Sequence, residues 1–316
     1  MNAPSHAWIL AGATATGKTA VAQVLAEQLG CAILSADAML VYRGMDIGTA
    51  KPAPAERGSV PYLGIDLVTP AEPFSTGAWL TAARQACNSA GTLSPLSPGL
   101  IVAGGTGLYI KALTAGFDGE QADPALRARW QALFERDGLA ALQRALAERA
   151  PDALDQLADA ANPRRLIRAL EHLDARGSLP SSWKDDAPPA PTLALRLPRE
   201  QLHRRIERRV ATMFRQGLVD EVRALRRTYP VWSATALQAI GYAEVCALLD
   251  GTLSEKAAFE KTVIRTRQLA KRQETWFRHQ TQTVWLDIDD TDPPSLIAQR
   301  VLALWRKHGP APILLS

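Results

Sequence analysis

The sequence predicts an α/β fold in which a core with a parallel sheet is interrupted by an all-helical insertion domain. Short apolar runs alternate with helical spacing over residues 1–118 and again over 191–316, which is typical of a parallel sheet flanked by helices. The intervening residues 119–190 are rich in Ala, Leu, Arg and Glu, a composition that favours helices. We therefore expect two chain segments to form the core and the third to form a separate helical domain.

Four apolar runs in the N-terminal segment have the length of buried parallel strands. Between the first two, Val21, Val24, Leu25 and Leu29 share one face of a helix that Gly30 ends. The predicted strands and helices of this segment are strands at 7–11, 31–34, 65–68 and 100–102 and helices at 18–29 and 76–88.

The alternation returns after a loop at 177–191, which is rich in proline and serine. TLALRL at 192–197 alternates like a strand, and residues 199–215 have helical spacing. Further helices are predicted between 218 and 279, and VWLDI at 284–288 is predicted as the last strand.

The basic residues are concentrated rather than spread. The formal net charge is +4, and Lys and Arg crowd residues 164–168, 196–227 and 261–278, which suits a polyanionic partner. The three cysteines form no C-x-x-C or Cys/His cluster, which argues against zinc. No apolar run approaches about 18 residues, and the N-terminus lacks a basic leader, so we expect a cytoplasmic protein without a membrane partner.

The segment GATATGKT matches the phosphate-binding pattern G-x-x-x-x-G-K-[ST], with a predicted strand before it and a helix after it. This predicts a P-loop NTPase-like core in which backbone N–H groups wrap a diphosphate, Lys18 adds positive charge and the Thr19 hydroxyl ligates Mg²⁺. The strand at 100–102 leads into Gly104-Gly105 rather than a carboxylate, which argues against simple nucleotide hydrolysis. The predicted diphosphate ligands of the loop are Gly12, Ala13, Thr14, Ala15, Thr16, Gly17, Lys18 and Thr19.

A polar, irregular segment, SADAMLVYRGMDIGTAKP at 35–52, follows the second predicted strand. Asp37 falls at the carboxyl end of that strand, the edge where ligands bind to open parallel sheets, and a carboxylate there can accept a proton. The alternative is that Asp37 only caps a turn. Tyr42, Arg43 and Lys51 either line a groove or are solvated.

An arginine lies at the edge of the apolar face of the predicted helix at 199–215. On a helical wheel Arg209 falls beside the apolar residues, where an arginine needs an anionic partner. That partner is either a bound diphosphate or a nearby glutamate. Arg205 is a weaker second candidate.

A basic stripe is predicted on the helix that spans residues 263–278. Arg267, Lys271 and Arg278 fall within a narrow arc, opposite a face that packs. Such a stripe is either a solvated face or a surface that binds nucleic-acid phosphates. A second basic cluster, which favours the nucleic-acid interpretation, consists of Arg164, Arg165 and Arg168.

Six segments in order, spread over nearly the whole chain, resemble the bacterial type of the tRNA dimethylallyltransferase family, also called tRNA isopentenyltransferases. They are GATATGKT, SADAMLVYRGMDIGTAKP, VAGGTGLYIKAL at 102–113, NPRRLIRALE at 162–171, ALQAIGYAEV at 236–245 and TRQLAKRQETWFR at 266–278. The resemblance implies transfer of a dimethylallyl group from dimethylallyl diphosphate to N6 of the adenosine just 3′ of a tRNA anticodon, with help from Mg²⁺.

The resemblance also implies roles for individual residues. Asp37 would be the general base, Thr19 a catalytic residue and metal ligand, and Arg209 the arginine that clamps the diphosphate. The domain at 119–190 would hold the anticodon stem-loop, and a monomer would suffice. The implied tRNA contacts are Asp37, Ala38, Met39, Leu40, Thr106, Arg127, Arg164, Arg165, Leu166, Ile167, Arg168, Gln238, Ala239, Ile240, Gly241, Tyr242, Ala243, Lys271, Arg272 and Arg278.

The chain departs from the family pattern at a few positions near the expected base contact. Ala13 replaces a common proline, Ala38 a frequent serine and Leu40 a frequent glutamine, so details of base contact are expected to differ. Three alternatives remain open on sequence alone. They are an adenylate isopentenyltransferase, which acts on free AMP, a small-molecule kinase with a P-loop, and a non-catalytic RNA-binding protein.

Overall fold

The chain forms two compact units, a larger one of Met1–Ala115 with Ala187–Ser316 and a smaller one of Gly116–Asp186. Most of the loop predicted at 177–191 lies outside the described residues. The structure, a computed structural model, describes residues 6–90, 99–116, 123–157, 159–179 and 190–314.

A mainly parallel sheet is the centre of the larger unit. Among the described residues seven strands join it, in the order β3-β2-β4-β1-β5-β6, with β7 antiparallel to the start of β1. The strands are β1 (His6–Gly12), β2 (Ala32–Ser35), β3 (Tyr62–Leu63), β4 (Leu100–Gly104), β5 (Thr192–Arg196), β6 (Thr283–Asp287) and β7 (Ala311–Pro312). The predicted α/β fold with a parallel sheet is confirmed.

Helices follow the strands, and two apolar cores form on opposite faces of the sheet. Ile9 packs in one core with Trp79 and Phe277, whereas the next residue, Leu10, packs in the other with Leu25 and Ile206. The helices are α1 (Lys18–Leu29), α2 (Pro54–Arg57), α3 (Thr76–Ala90), α4 (Gly107–Ala115), α5 (Pro124–Asp137), α6 (Leu139–Arg149), α7 (Ala153–Gln156), α8 (Pro163–Arg176), α9 (Arg199–Arg215), α10 (Leu218–Thr228), α11 (Tyr242–Leu249), α12 (Glu255–Gln280) and α13 (Pro294–His308).

The smaller unit is helical throughout its described residues, 123–157 and 159–179, and contains α5 to α8. Its own apolar core includes Trp130, Leu142, Leu166 and Leu170. Asp123 caps α5, because its side chain accepts a hydrogen bond from the N–H of Ala125, and Asn162 caps α8 in the same way. This unit therefore has a core and helix caps of its own.

One predicted strand lies at a different position, and another is not the last strand of the chain. The third strand is Tyr62–Leu63 rather than 65–68, because the chain turns at Asp66, whose φ is +53° and whose carboxylate pairs with Lys51. Val68 keeps only an isolated bridge to Tyr42. The strand predicted at 284–288 is present as β6, but it is not the last one, because β7 follows it; the two residues of β7, one of them a proline, carry no strand pattern.

In the part of the chain that the structure describes, no helix has both the length and the apolar character that crossing a bilayer requires.

Candidate active site

The phosphate loop connects β1 to α1 and has the backbone of an anion cradle. Gly12 ends β1 where a Cβ atom would come within 2.7 Å of the Leu195 carbonyl oxygen on β5, so only glycine fits. Ala15 and Gly17 adopt left-handed conformations, with φ of +66° and +88°, which are typical of backbone loops that bind anions. The N-terminus of α1, which begins at Lys18, adds unpaired N–H groups and a favourable dipole.

Three charged side chains lie within electrostatic reach of one another at the mouth of this loop. Burial lowers the pKa of Lys18 to about 8, the negative charge of Asp37 opposes that shift, and the positive charge of Arg209 adds to it. Burial likewise lowers the pKa of Arg209, against the effect of Asp37. Two cations therefore share one carboxylate, an arrangement that a bound diphosphate would stabilise.

Helix α9 positions Arg209 as the wheel predicts. Leu202, Ile206 and Val210 are buried, while Arg209 is partly buried at the edge of that face. Its Nη2 atom donates to the carbonyl oxygen of Thr49 at 2.9 Å rather than to a glutamate. The guanidinium is thereby fixed close to Lys18 and Asp37.

The second candidate arginine, Arg205, also lies beside the phosphate loop. Its Nη1 atom donates to the Thr16 carbonyl oxygen at 3.4 Å. However, its guanidinium forms an ion pair with Asp290, which Arg208 also contacts. Because Asp290 balances its charge, Arg205 is less suited to binding a diphosphate than Arg209.

Asp37 follows β2 at the carboxyl edge of the sheet, partly exposed. Its Oδ1 atom accepts a hydrogen bond from the N–H of Met39 at 2.9 Å, so it does cap a turn. The negative charge of the same carboxylate opposes the lowering of the pKa of Lys18 and Arg209, and it adds to burial, the larger cause, in raising the pKa of Tyr109. Capping and electrostatic contact are therefore both present, and they are compatible with a role as base.

The loop between β4 and α4 fastens the Asp37 turn. The N–H of Ala38 donates to Thr106 Oγ1 at 3.0 Å, and the N–H of Thr106 donates to the carbonyl oxygen of Ala36 at 3.0 Å. A Cβ atom on Gly104 would overlap Ala36. The GGTG sequence is therefore required for the close approach of this loop to the end of β2.

Of the three residues predicted either to line a groove or to be solvated, Arg43 is exposed, whereas Tyr42 and Lys51 are buried and hold the segment 35–52 together, so both alternatives are wrong for those two. Lys51 is buried, and its Nζ contacts Asp46 at 2.7 Å and Asp66 at 2.6 Å. Tyr42 is fully buried, and its hydroxyl donates to Thr235 Oγ1 at 2.7 Å. Burying these groups with their partners gives an irregular segment one conformation.

A glutamate from α10, which the sequence did not single out, completes this arrangement. Glu221 accepts hydrogen bonds from the N–H of Ile47 at 2.8 Å, the N–H of Asp46 at 3.2 Å and the Tyr242 hydroxyl at 2.6 Å. A Cβ atom on Gly48 would overlap the Tyr242 ring. These contacts fix the turn directly before Thr49, the residue that holds Arg209. No local sequence pattern indicates the role of Glu221, because the backbone groups that it holds, those of Asp46 and Ile47, are 175 and 174 residues away.

The expected tRNA contacts of the larger unit fall into three groups. Gln238, Lys271, Arg272 and Arg278 are exposed. Ala239 and Tyr242 have buried side chains, at 2% and 0% exposure, so a contact with RNA at these two positions would have to be made by the backbone. The rest are buried, as for Leu40 and Gly241, or partly exposed, as for Asp37, Ala38, Met39, Thr106, Ile240 and Ala243.

The remaining expected contacts belong to the smaller unit. Arg164 and Arg165 are exposed in the first turn of α8. Leu166 and Ile167 pack in the core of that unit, at 0% and 4% exposure, so a contact with RNA there would also have to be made by the backbone. Two arginines already have a partner, since Arg127 donates to the buried Glu171 at 2.7 and 3.1 Å and Arg168 lies 3.7 Å from the same carboxylate.

The hydroxyl group of Thr19 at the phosphate loop is suited to bind Mg²⁺ together with a phosphate group. Thr19 is exposed in the first turn of α1. In the described ranges no three His, Cys, Asp or Glu side chains cluster to hold a metal by themselves. Mg²⁺ commonly keeps several waters and takes one or two protein ligands with substrate phosphates, so Thr19 and a diphosphate fit it.

Comparisons with known proteins identify the family of the chain. The family described as IPP transferase matches residues 40–280, and the family described as isopentenyl transferase matches residues 5–63. The tRNA dimethylallyltransferase of Thermus thermophilus is 41% identical over 275 residues, which cover 86% of this chain and 89% of the relative. That of Pelotomaculum thermopropionicum is 39% identical over 300 residues, or 93% and 94% of the two chains.

A solved structure is similar over nearly the same length. The tRNA isopentenylpyrophosphate transferase of Bacillus halodurans is 33% identical, with a TM-score of 0.68, and the match covers 96% of this chain and 97% of that one. Sequence and fold thus both match tRNA-modifying transferases of this kind over almost the whole chain. The chain belongs to the tRNA dimethylallyltransferase family.

Proposed function

We propose that this protein transfers a dimethylallyl group from dimethylallyl diphosphate to N6 of the adenosine 3′-adjacent to the anticodon in tRNA. The observation that carries the proposal is the placement of the Asp37 carboxylate beside Lys18 and Arg209 at the mouth of the phosphate loop. The names of the relatives, which are tRNA dimethylallyltransferases, support this substrate class.

The phosphate loop and two cations bind the donor. Backbone N–H groups from Ala15 to Thr19 surround the diphosphate, and Lys18 and Arg209 contribute positive charge. In the reaction the bond between the first carbon of the dimethylallyl group and the diphosphate oxygen breaks, and its electron pair leaves with the diphosphate. Fixed cations stabilise the negative charge that develops there, which lowers the barrier.

Asp37 serves the acceptor. An exocyclic adenine amine is a poor nucleophile, and its N–H becomes acidic only as the new C–N bond forms. The Asp37 carboxylate accepts that proton, so N6 exchanges one N–H bond for one bond to the first carbon of the dimethylallyl group while the diphosphate departs. Thr106 holds the turn at Asp37 by accepting a hydrogen bond from the N–H of Ala38, which keeps the carboxylate in place for this transfer.

Mg²⁺ fits the same pocket as the donor. When bound through the Thr19 hydroxyl and the diphosphate, it would supply additional positive charge to the leaving group.

Exposed basic side chains would bind the RNA substrate. Lys271, Arg272 and Arg278 on α12 are suited to binding backbone phosphates, which orient an RNA without reading its sequence. Arg164 and Arg165 on the smaller unit offer the same chemistry to an anticodon stem-loop. The target base lies in a loop, from which it can be extruded into a pocket. One chain supplies all of these groups, which supports a monomeric enzyme.

A transfer assay tests the proposal. The purified protein is mixed with Mg²⁺, dimethylallyl diphosphate and an unmodified anticodon stem-loop, with AMP as a parallel acceptor and a chelator in a third reaction. Mass spectrometry of the digested RNA should find N6-dimethylallyladenosine. Product on AMP alone would replace the proposal with an adenylate isopentenyltransferase, and thermal stabilisation by ATP but not by dimethylallyl diphosphate would point to a kinase.

A further inference from the structure

A single glutamine on α12 connects two loops of the active site. Gln273 Oε1 accepts a hydrogen bond from the N–H of Thr14, in the phosphate loop, at 2.8 Å. Its Nε2 atom donates to the carbonyl oxygen of Gly105, in the loop after β4, at 3.0 Å. The partners lie 259 and 168 residues away in sequence, so this bridge is a tertiary contact and not a feature of α12 itself.

The backbone around the bridge is shaped to admit α12. A Cβ atom on Gly105 would overlap the Gln273 amide, and one on Gly107 would overlap the indole of Trp276, one turn further along α12. Both glycines therefore let the helix lie directly against the loop after β4. Gln273 is only partly exposed, and its amide is oriented by one donor and one acceptor, so it cannot be reversed without losing both bonds.

The two loops that Gln273 joins carry different parts of the chemistry. Thr14 precedes the N–H groups of the phosphate loop that wrap an anion, so its own N–H can serve as an anchor. Gly105 precedes Thr106, whose hydroxyl accepts from the N–H of Ala38, the residue after Asp37. Three hydrogen bonds, together with the covalent link from Gly105 to Thr106, thus connect the phosphate loop through Gln273 to the turn that holds Asp37.

We propose that Gln273 is a positioning residue that fixes the distance between the donor in the phosphate loop and the Asp37 carboxylate. The inference rests on the proposed function, because it assigns a purpose to the spacing of donor and base. Reactions of this kind depend on the alignment of the reacting atoms, and a small displacement of one loop lowers the rate more than it weakens binding.

The test compares two substitutions with matched controls. Q273M keeps the side-chain length and removes both hydrogen bonds, and Q273E keeps the acceptor but cannot donate to Gly105 while ionised. The exposed Gln268 on the same helix provides the controls Q268M and Q268E. Steady-state kinetics with dimethylallyl diphosphate and an anticodon stem-loop give kcat and the KM of each substrate.

We expect Q273M to lower kcat by about 30-fold, with less than about threefold change in either KM. Q273E should be similarly slow at neutral pH, and its rate relative to the wild type should rise as the pH falls, because a protonated carboxyl group regains a donor for Gly105. Both control variants should retain wild-type kinetics. A kcat for Q273M within twofold of wild type would overturn the inference.

Failure of the inference and failure of the proposed function give different results. A wild-type protein that transfers nothing to RNA removes the proposed function, whereas an active wild type with an unaffected Q273M removes only the role of Gln273. If Q273M does not fold, as judged by circular dichroism, the isosteric Q273E decides the question. A rate ratio of Q273E to wild type that does not change with pH would then overturn the inference.

Discussion

The phosphate loop and the Asp37 segment, residues 35–52, meet at one edge of the sheet. The contacts that hold them differ greatly in the sequence separation of the partners. In the phosphate loop Lys18 Nζ donates to the Ala13 carbonyl oxygen at 2.7 Å, and Thr16 Oγ1 donates to the same oxygen at 2.9 Å. These partners are five and three residues apart. Hydrogen bonds within the loop therefore stabilise much of its conformation, although Gln273 also holds its start through the N–H of Thr14.

The Asp37 segment depends on residues from other elements. Thr106, Glu221 and Thr235 hold its backbone or side chains, and none is nearer than 68 residues in sequence. The same segment in turn supplies the carbonyl oxygen of Thr49 that holds Arg209. The phosphate loop that binds the diphosphate is therefore a local motif, whereas the positions of Asp37 and Arg209 depend on the tertiary fold.

Removing the base should produce the largest effect. In Asp37→Asn the amide cannot accept the amine proton, so we expect kcat to fall about 10³-fold. Binding of dimethylallyl diphosphate, measured by calorimetry, should remain, because the phosphate loop keeps its own contacts. Single-turnover assays with the anticodon stem-loop give the rate.

The matched control for this variant is Asp46→Asn. Asp46 lies in the same segment, is largely exposed and pairs with Lys51, which keeps Asp66 as a second partner. We expect its rate to stay within about threefold of the wild type. Equal rates for Asp37→Asn and the wild type would show that another group accepts the proton.

Glu221→Gln tests whether distant residues place Arg209. A neutral amide is a weaker acceptor for the N–H groups of Asp46 and Ile47 and for the Tyr242 hydroxyl, so the turn before Thr49 should loosen. We expect kcat to fall about 20-fold and the free energy of unfolding to drop by about 1–3 kcal/mol. Thermal melts and kinetics measure the two effects.

The neighbouring Asp220→Asn is the control for Glu221→Gln. The side chain of Asp220 is 78% exposed and pairs with Arg223 on the surface of α10, so its substitution should change neither property measurably. An unchanged kcat in Glu221→Gln would mean that Arg209 does not depend on the turn.

The difference in range explains which parts of the protein could be predicted from sequence. Helix α1 and helix α9 match their predicted limits, because apolar spacing and Gly30 are local signals. The phosphate loop was equally accessible as a motif. Strand β7, by contrast, exists only as a partner of the start of β1, and no pattern in its two residues predicts it.

Site residues divide in the same way. Arg209 could be found from a helical wheel, because its position at the edge of an apolar face is set by the spacing of its own helix. Glu221 and Gln273 could not, since nothing near them in sequence reveals their partners. The resemblance to a family assigned Leu166 and Ile167 to RNA contact, but only the structure shows that the core of the smaller unit requires them.

The pH dependence of donor binding sharpens the account of the phosphate loop. The pKa of Lys18 is lowered to about 8 by burial, so Lys18 loses its charge in the empty site between pH 7.5 and 9. Since a diphosphate favours the charged form, its affinity should fall by about eightfold over that interval. Calorimetry with dimethylallyl diphosphate measures the change. Lys18→Arg keeps its charge throughout and should bind with constant affinity, and a similar decline in that variant would assign the titration to another group.

The smallest effect is expected at the exposed stripe, where each charge acts through solvent. Lys271→Ala and Arg278→Ala should each raise the KM of the anticodon stem-loop about threefold at low salt and leave that of dimethylallyl diphosphate unchanged. Each should also reduce the slope of log affinity against log salt by about 1, since one phosphate contact is lost. Filter binding over a range of salt concentrations gives the slope, and Lys256→Ala, an exposed lysine near the start of the same helix, is the control. Should Lys256→Ala reduce the slope as much as the stripe variants do, RNA binding would depend on the general charge of α12 and not on the stripe.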